Sequence, residues 1–321
     1  MKNKKVKLGA LVLAATTLFT VTAFATTSTF SQGGYEAFKQ IMKTSQETKH
    51  FSSISFNGKF EMSDNGKIIS EMTGEVKGNP EGKEASGNVR IKLMDKEQDL
   101  SFYKNGESSY LVDQTNKKYY QLVNMTQDIA ENRKEMKSEN GAEVQSMGKT
   151  GEALMDYFMG DLKSQFELSK NADGTRSITL DLNENEIPVP MNLLVGMAAE
   201  NSSNCSNIDN EDSMDPAKKE LLMQKMPFLK EFYELGKNIP KLKQDVKLTG
   251  VSLKLNVDDN NQIKSFDVKI NITGKDANGE NHQISLSGSS IISGLNSTSA
   301  DIFNPDGKSI ETIDVKDFNK N

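Results

Sequence analysis

The sequence predicts an α+β protein: an extensive antiparallel sheet with helices packed against it. Three observations carry this. First, Val246 to Ile292 reads as three long strands joined by polar turns. Leu248, Val251, Leu253, Leu255 and Val257 lead into Asp258-Asp259-Asn260-Asn261, and Ile263, Phe266, Val268, Ile270 and Ile272 lead into the turn from Gly274 to Gly279. Ile284, Leu286 and Ile291 follow. Apolar residues on alternate positions are what a sheet with one buried face requires, because successive side chains point to opposite faces. Second, Ile54 to Val123 repeats this grammar in shorter segments. Third, helical spacing appears only before the first strand region and between the two.

The chain opens Met1-Lys2-Asn3-Lys4-Lys5-Val6-Lys7, continues without charge from Leu8 to Phe24, and reaches Ala23-Phe24-Ala25. A basic start, an apolar core and a small-x-small site make a secretory signal peptide over residues 1–25. The competing reading is an N-terminal membrane anchor, but the apolar run is short for a span. No cysteine follows the site, which excludes lipidation there. The expected mature protein starts at Thr26 and is secreted into the extracellular or cell-wall space. Losing four lysines leaves 35 basic against 45 acidic residues, a net of −10 against −6 for the whole chain. That balance argues against nucleic acid and anionic lipid as partners held by charge. No second apolar segment reaches spanning length, so an integral membrane protein is not expected. Residues 26–321 are read as a single domain and a monomer.

Tyr35 to Thr48 places Tyr35, Phe38, Ile41 and Met42 on one helical face with Lys39 and Lys43 opposite. Ile54, Phe56, Phe60 and Met62 alternate along a first strand, and Asp64-Asn65-Gly66 is a hairpin signal leading to Ile68–Val76. Strands follow at Val89–Leu93, Leu100–Phe102, Tyr110–Val112 and Tyr119–Val123. At this spacing they pair mainly with sequence neighbours. One or two helices are read between Met125 and Lys163, and Phe166–Leu182 is a hairpin turned at Asn171-Ala172-Asp173-Gly174. Pro188 and Pro190 precede a short apolar helix, Met191–Ala199. Residues 200–215 form a flexible acidic loop rich in Asn, Ser and Asp. Pro216 then opens a helix of about twenty residues with Leu221, Leu222, Met226, Leu229 and Phe232 on one side. The tail from Asn304 is polar.

The usual catalytic patterns are missing from the sequence. Only His50 and His282 are present, so a histidine triad or histidine-rich metal site would draw on those two. Ser101-Phe102-Tyr103-Lys104 matches Ser-x-x-Lys, but on a strand positions three apart face opposite ways, which defeats the motif. Gly307-Lys308-Ser309 lacks the earlier glycine of a phosphate loop. Cys205, the single cysteine, lies in a polar run and reads as an incidental exposed thiol. Counting from Asp209, the residues Asp209, Glu211, Ser213, Asp215 and Glu220 occupy oxygen-ligand positions of a calcium loop. Met214 stands where the turn wants glycine and Pro216 interrupts the loop, so a solvated acidic loop before a helix is the better reading. No cofactor is expected.

Fifteen methionines and fifteen phenylalanines stand against no tryptophan. Methionine is flexible and polarisable and recurs on surfaces that hold varied apolar ligands, although filling the core under a sheet is the commoner use. An apolar, loosely specified ligand such as an acyl chain is the corresponding functional reading.

The lysine-rich signal, the opening Ser52-Ser53-Ile54-Ser55-Phe56-Asn57-Gly58-Lys59-Phe60 and the late Val268-Lys269-Ile270-Asn271-Ile272-Thr273-Gly274-Lys275-Asp276 resemble the LolA-like lipoprotein-carrier superfamily, in a secreted Gram-positive form. The resemblance implies a strongly curved antiparallel sheet, an incomplete barrel, with helices packed on the concave face and lipid sheltered there. The function it implies is a non-enzymatic secreted protein binding a hydrophobic ligand, either lipid or a lipidated partner such as a lipoprotein. Phe56, Phe60, Met62, Phe102, Leu194, Met197, Met226 and Phe228 are the candidate lining. The alternative is an envelope-associated interaction protein with a filled core and no ligand.

Overall fold

The computed structural model describes residues 33–47, 52–79, 83–124, 159–193, 195–196 and 216–315. The signal peptide, His50, Cys205, the methionines from Met125 to Met155 and the acidic loop lie outside the described residues.

Twelve strands form one open sheet. In chain order they are β1 (Ile54–Asp64), β2 (Lys67–Gly78), β3 (Glu84–Leu93), β4 (Lys96–Asn105), β5 (Ser108–Asp113), β6 (Lys118–Val123), β7 (Glu167–Lys170), β8 (Arg176–Asn183), β9 (Gln244–Val257), β10 (Ile263–Lys275), β11 (Asn281–Ser293) and β12 (Ile310–Asp314). Their spatial order is β12-β6-β5-β4-β3-β2-β1-β11-β10-β9-β8-β7, curved and not closed. The expected α+β architecture is present. All six early strands, the hairpin β7–β8 and the three late strands form where the alternation places them. The two regions join through β1 and β11, which pair antiparallel from Ser55↔Ser293 to Asp64↔Ile284.

Three α-helices have bounds within the described residues: α1 (Gly34–Glu47), α2 (Pro216–Lys225) and α3 (Pro227–Gly236). Residues 189–193 and 195–196 are also helical, where a short helix after Pro188 was expected. The single helix of about twenty residues expected from Pro216 is in fact α2 and α3. Pro227 lacks an N–H and crowds the preceding turn, which drives the residue before it out of the helical region. Met226 accordingly sits at φ −119°, ψ 79°.

The tail is a second correction. Rather than running on as a polar tail, it forms β12, which pairs parallel with β6 from Ile310↔Tyr119 to Asp314↔Val123. Ile313 is fully buried there. Both sheet edges are short, four residues in β7 and five in β12, which limits edge-to-edge association.

Two hydrophobic clusters hold the helices to one face of the sheet. Tyr35, Ala37 and Ile41 of α1 pack with Phe166, Ile178, Leu180, Leu182, Leu255 and Phe266. Leu222, Met226 and Phe228 of the α2–α3 pair pack with Leu111, Tyr120, Leu122 and Ile313. The Tyr120 hydroxyl donates to the Lys225 carbonyl at 3.1 Å, tying the end of α2 to the sheet. Phe102 joins the second cluster because Gly87, its cross-strand partner, carries no side chain; a Cβ there would collide with the ring.

Candidate functional site

Cross-strand partners share a face, so the pairing register sorts every strand residue. One face carries Phe56, Phe60 and Met62 of β1, partnered by Val76, Met72 and Ser70 of β2. It continues through Val89 and Ile91 of β3 and through Leu286 and Val268 of β11 and β10. The two helical clusters cover its ends. Between them Phe60, Met62, Met72, Val89, Ile91, Val268 and Leu286 remain half-buried, an apolar strip running across five strands.

The candidate lining residues divide accordingly. Phe56 is buried in the cluster under α1, while Phe102, Met226 and Phe228 belong to the cluster under α2 and α3. Phe60 and Met62 lie on the strip. Leu194 and Met197 fall outside the described residues. Of the calcium-loop candidates Asp209, Glu211, Ser213 and Asp215 also fall outside, and Glu220 is an exposed residue of α2 that accepts a hydrogen bond from Gln224.

The opposite face holds an open recess of about 920 Å³. Its floor is the polar half of the same alternation: Asn57 and Lys59 of β1, Thr73 and Glu75 of β2, Asn88 and Arg90 of β3, Asp99 and Ser101 of β4, with Asp267 and Ser289. None of the six described lining candidates, Phe56, Phe60, Met62, Phe102, Met226 and Phe228, touches it. The signal was present in the sequence, as the polar member of each apolar–polar pair, but polar alternates read as a plain solvent face.

Both cations of the recess, Arg90 and Lys59, are paired with carboxylates. Arg90 Nε lies 2.7 Å from Asp99 Oδ1 and 3.1 Å from Glu97. Lys59 Nζ lies 2.9 Å from Glu71 and 3.0 Å from Glu61. The hydrogen bond from Arg90 holds the Asp99 carboxyl below the usual carboxylate range, and Lys59 does the same for Glu71. Glu71, and then Glu61, raise the Lys59 ammonium in return.

A strap between β11 and β12 packs on the same face of the sheet as the recess. Its Asn296 and Thr298 amides donate to the Ser53 carbonyl and hydroxyl, at 2.8 Å and 2.9 Å. The Asp301 amide donates to Ser86 Oγ, whose hydroxyl donates back to the Asp301 carboxylate. Phe303 then seats among Tyr103, Tyr110 and Tyr119, with ring centroids 5.4, 4.9 and 5.9 Å away.

No helix among the described residues is long and apolar enough to cross a membrane. No protein-family model matches the chain, and no curated protein matches it either. Among solved structures, a DUF1329 family protein from Desulfovibrio piger is similar at 6% identity, with 85% of this chain and 94% of that chain covered and a TM-score of 0.19. At that TM-score the likeness carries no argument.

Proposed function

We propose that this protein is a secreted, non-enzymatic binder of an apolar ligand, an acyl chain or a lipidated partner, as the LolA-like resemblance implies. One observation carries the reading: the half-buried strip Phe60, Met62, Met72, Val89, Ile91, Val268 and Leu286 between two separately packed helical clusters. Contiguous apolar surface of this kind marks binding sites in soluble proteins. Met62 and Met72 at its centre adapt to chains of varied shape. Secretion rests on the basic start and the uncharged run Leu8–Phe24.

The recess on the polar face favours a second reading, an envelope interaction module that recognises a hydrophilic partner. Its cations are already paired with carboxylates, so the partner would engage the amides and hydroxyls of Asn57, Asn88, Thr73 and Ser289.

Titration with a fluorescent fatty acid separates the two readings. Uptake by the protein, abolished by Phe60→Asp and by Met72→Asp but unchanged by Ser285→Asp on the other face, is the expected result. No uptake, or equal loss in all three variants, overturns the apolar-ligand reading.

A further inference from the structure

We infer that the β10–β11 hairpin holds a divalent first-row transition metal through His282, Asp276 and Glu280, with Asp64 as the carboxylate that orients the histidine. The three proposed ligands each offer an atom within 4.8 Å of the other two. For metal–ligand bonds of about 2.1 Å in a tetrahedron, ligand atoms sit about 3.4 Å apart, so closure takes roughly 1 Å of side-chain movement. Glu280 is exposed and free to supply that movement.

The second observation is the state of the imidazole. His282 Nδ1 lies 2.9 Å from Asp64 Oδ2. In the neutral tautomer whose Nδ1–H donates to this carboxylate, Nε2 keeps its lone pair for a metal. That Nε2 is fully buried and has no hydrogen-bond partner, on a side chain only 12% exposed. A buried acceptor without a partner costs free energy that a bound cation recovers. A carboxylate bonded to the far nitrogen of a ligand histidine is the usual outer shell of such sites, where it fixes the ring and raises its basicity.

The hairpin is rigid enough to present these groups. Asp276 Oδ1 accepts the Asn278 and Glu280 amides, each at 2.9 Å, and its Oδ2 accepts the Asn278 side chain at 3.1 Å. Lone pairs on both oxygens remain available. Next to it the β1–β2 turn is laced to β11 by Asn65, whose amide donates to the Gln283 carbonyl at 2.9 Å and whose Oδ1 accepts the Gln283 amide at 3.1 Å. One imidazole with two carboxylates suits zinc, cobalt or manganese in preference to calcium, which takes oxygen only, or copper(I), which takes sulfur. Three protein ligands leave a position for water.

The test is calorimetric titration of the chelator-stripped protein with Zn²⁺ alone, with visible absorption of the Co²⁺ form as a coordination readout. One high-affinity ion per chain is expected. Glu280→Gln, at an exposed position that leaves folding intact, should weaken it at least tenfold, and Asp64→Asn by about 10–100-fold. His282→Asn should abolish the Co²⁺ bands, while Asp259→Asn, in the β9–β10 turn at the other end of β10, should change nothing. Absence of binding overturns the proposal. So does binding that survives both Glu280→Gln and His282→Asn, which would assign the ion to other carboxylates.

Discussion

Phe303→Ala isolates what the strap contributes. The ring meets three tyrosine rings at centroid distances of 4.9–5.9 Å. Aromatic pairs contribute about 0.5–1.5 kcal/mol each, so the three together come to about 2–4 kcal/mol once the half-buried ring is allowed to relax. Its neighbour Ile302 is 77% exposed and touches no such cage, so Ile302→Ala should change stability by less than about 0.5 kcal/mol. Urea unfolding of both variants measures the difference. A lower midpoint at an unchanged slope is expected for Phe303→Ala, because the loss is of contacts and not of folded compactness. Equal midpoints for the two variants would refute the reasoning, showing that the segment from Gly294 to Lys308 is held by Asp301 and β12 with no help from the cage.

Two further outcomes follow from the buried polar groups under α2 and α3. Asp113 is fully buried and accepts from Gln98 Nε2 at 2.6 Å and from the Asn116 amide and side chain, each at 2.8 Å. Asp113→Ala leaves the buried Gln98 amide short of an acceptor and should lower unfolding free energy by about 2–4 kcal/mol, read from the urea midpoint; a loss below about 0.5 kcal/mol would contradict this. The Tyr120 hydroxyl is pushed up to about 12, chiefly by burial and then by Asp113 and Glu311. Its neutral form is therefore favoured by folding: that contribution is complete below about pH 10 and is lost as pH rises towards 12. The difference between wild type and Tyr120→Phe in ultraviolet titration should show a midpoint near 12, and a midpoint near 10 would count against burial of the hydroxyl.

The strands were legible because local chemistry decides them. Gly66, Gly174, Asn261 and Gly279 all take positive φ, between 61° and 88°, at turns that Asp/Asn/Gly clusters announce. Between those turns the alternation sets each face. What escaped was non-local or isolated. The pairing of β1 with β11 joins residues more than two hundred positions apart, and no turn specifies it. β12 carries Ile310 and Ile313 in a mostly polar tail, and its parallel partner β6 supplies the burial that makes it a strand. The break between α2 and α3 was written in the chain as Pro227, where helical spacing of Leu222, Met226 and Leu229 obscured it. For the site, Phe60 and Met62 were legible from alternation. The gathering of Lys59, Arg90 and Asp99 in one recess depends on the register of four strands, which a single sequence does not specify.

Parity along the strands makes the ligand question sharp. Met72 and Thr73 are adjacent in β2, yet Met72 faces the apolar strip beside Phe60 and Thr73 faces the recess beside Lys59. A ligand that engages one therefore cannot engage the other, because the sheet itself lies between them. Among the described residues the helices α1, α2 and α3 pack on the apolar face, and the strap packs on the polar one. Each face thus has its own boundary and its own chemistry. An apolar chain sliding along Phe60 and Met72 would leave the ion pairs of Arg90 and Lys59 untouched, and a hydrophilic partner in the recess would leave the helical clusters intact. Substitutions at neighbouring positions then report on separate sites, so binding lost at Met72 but kept at Thr73 identifies the face, and with it the class of ligand.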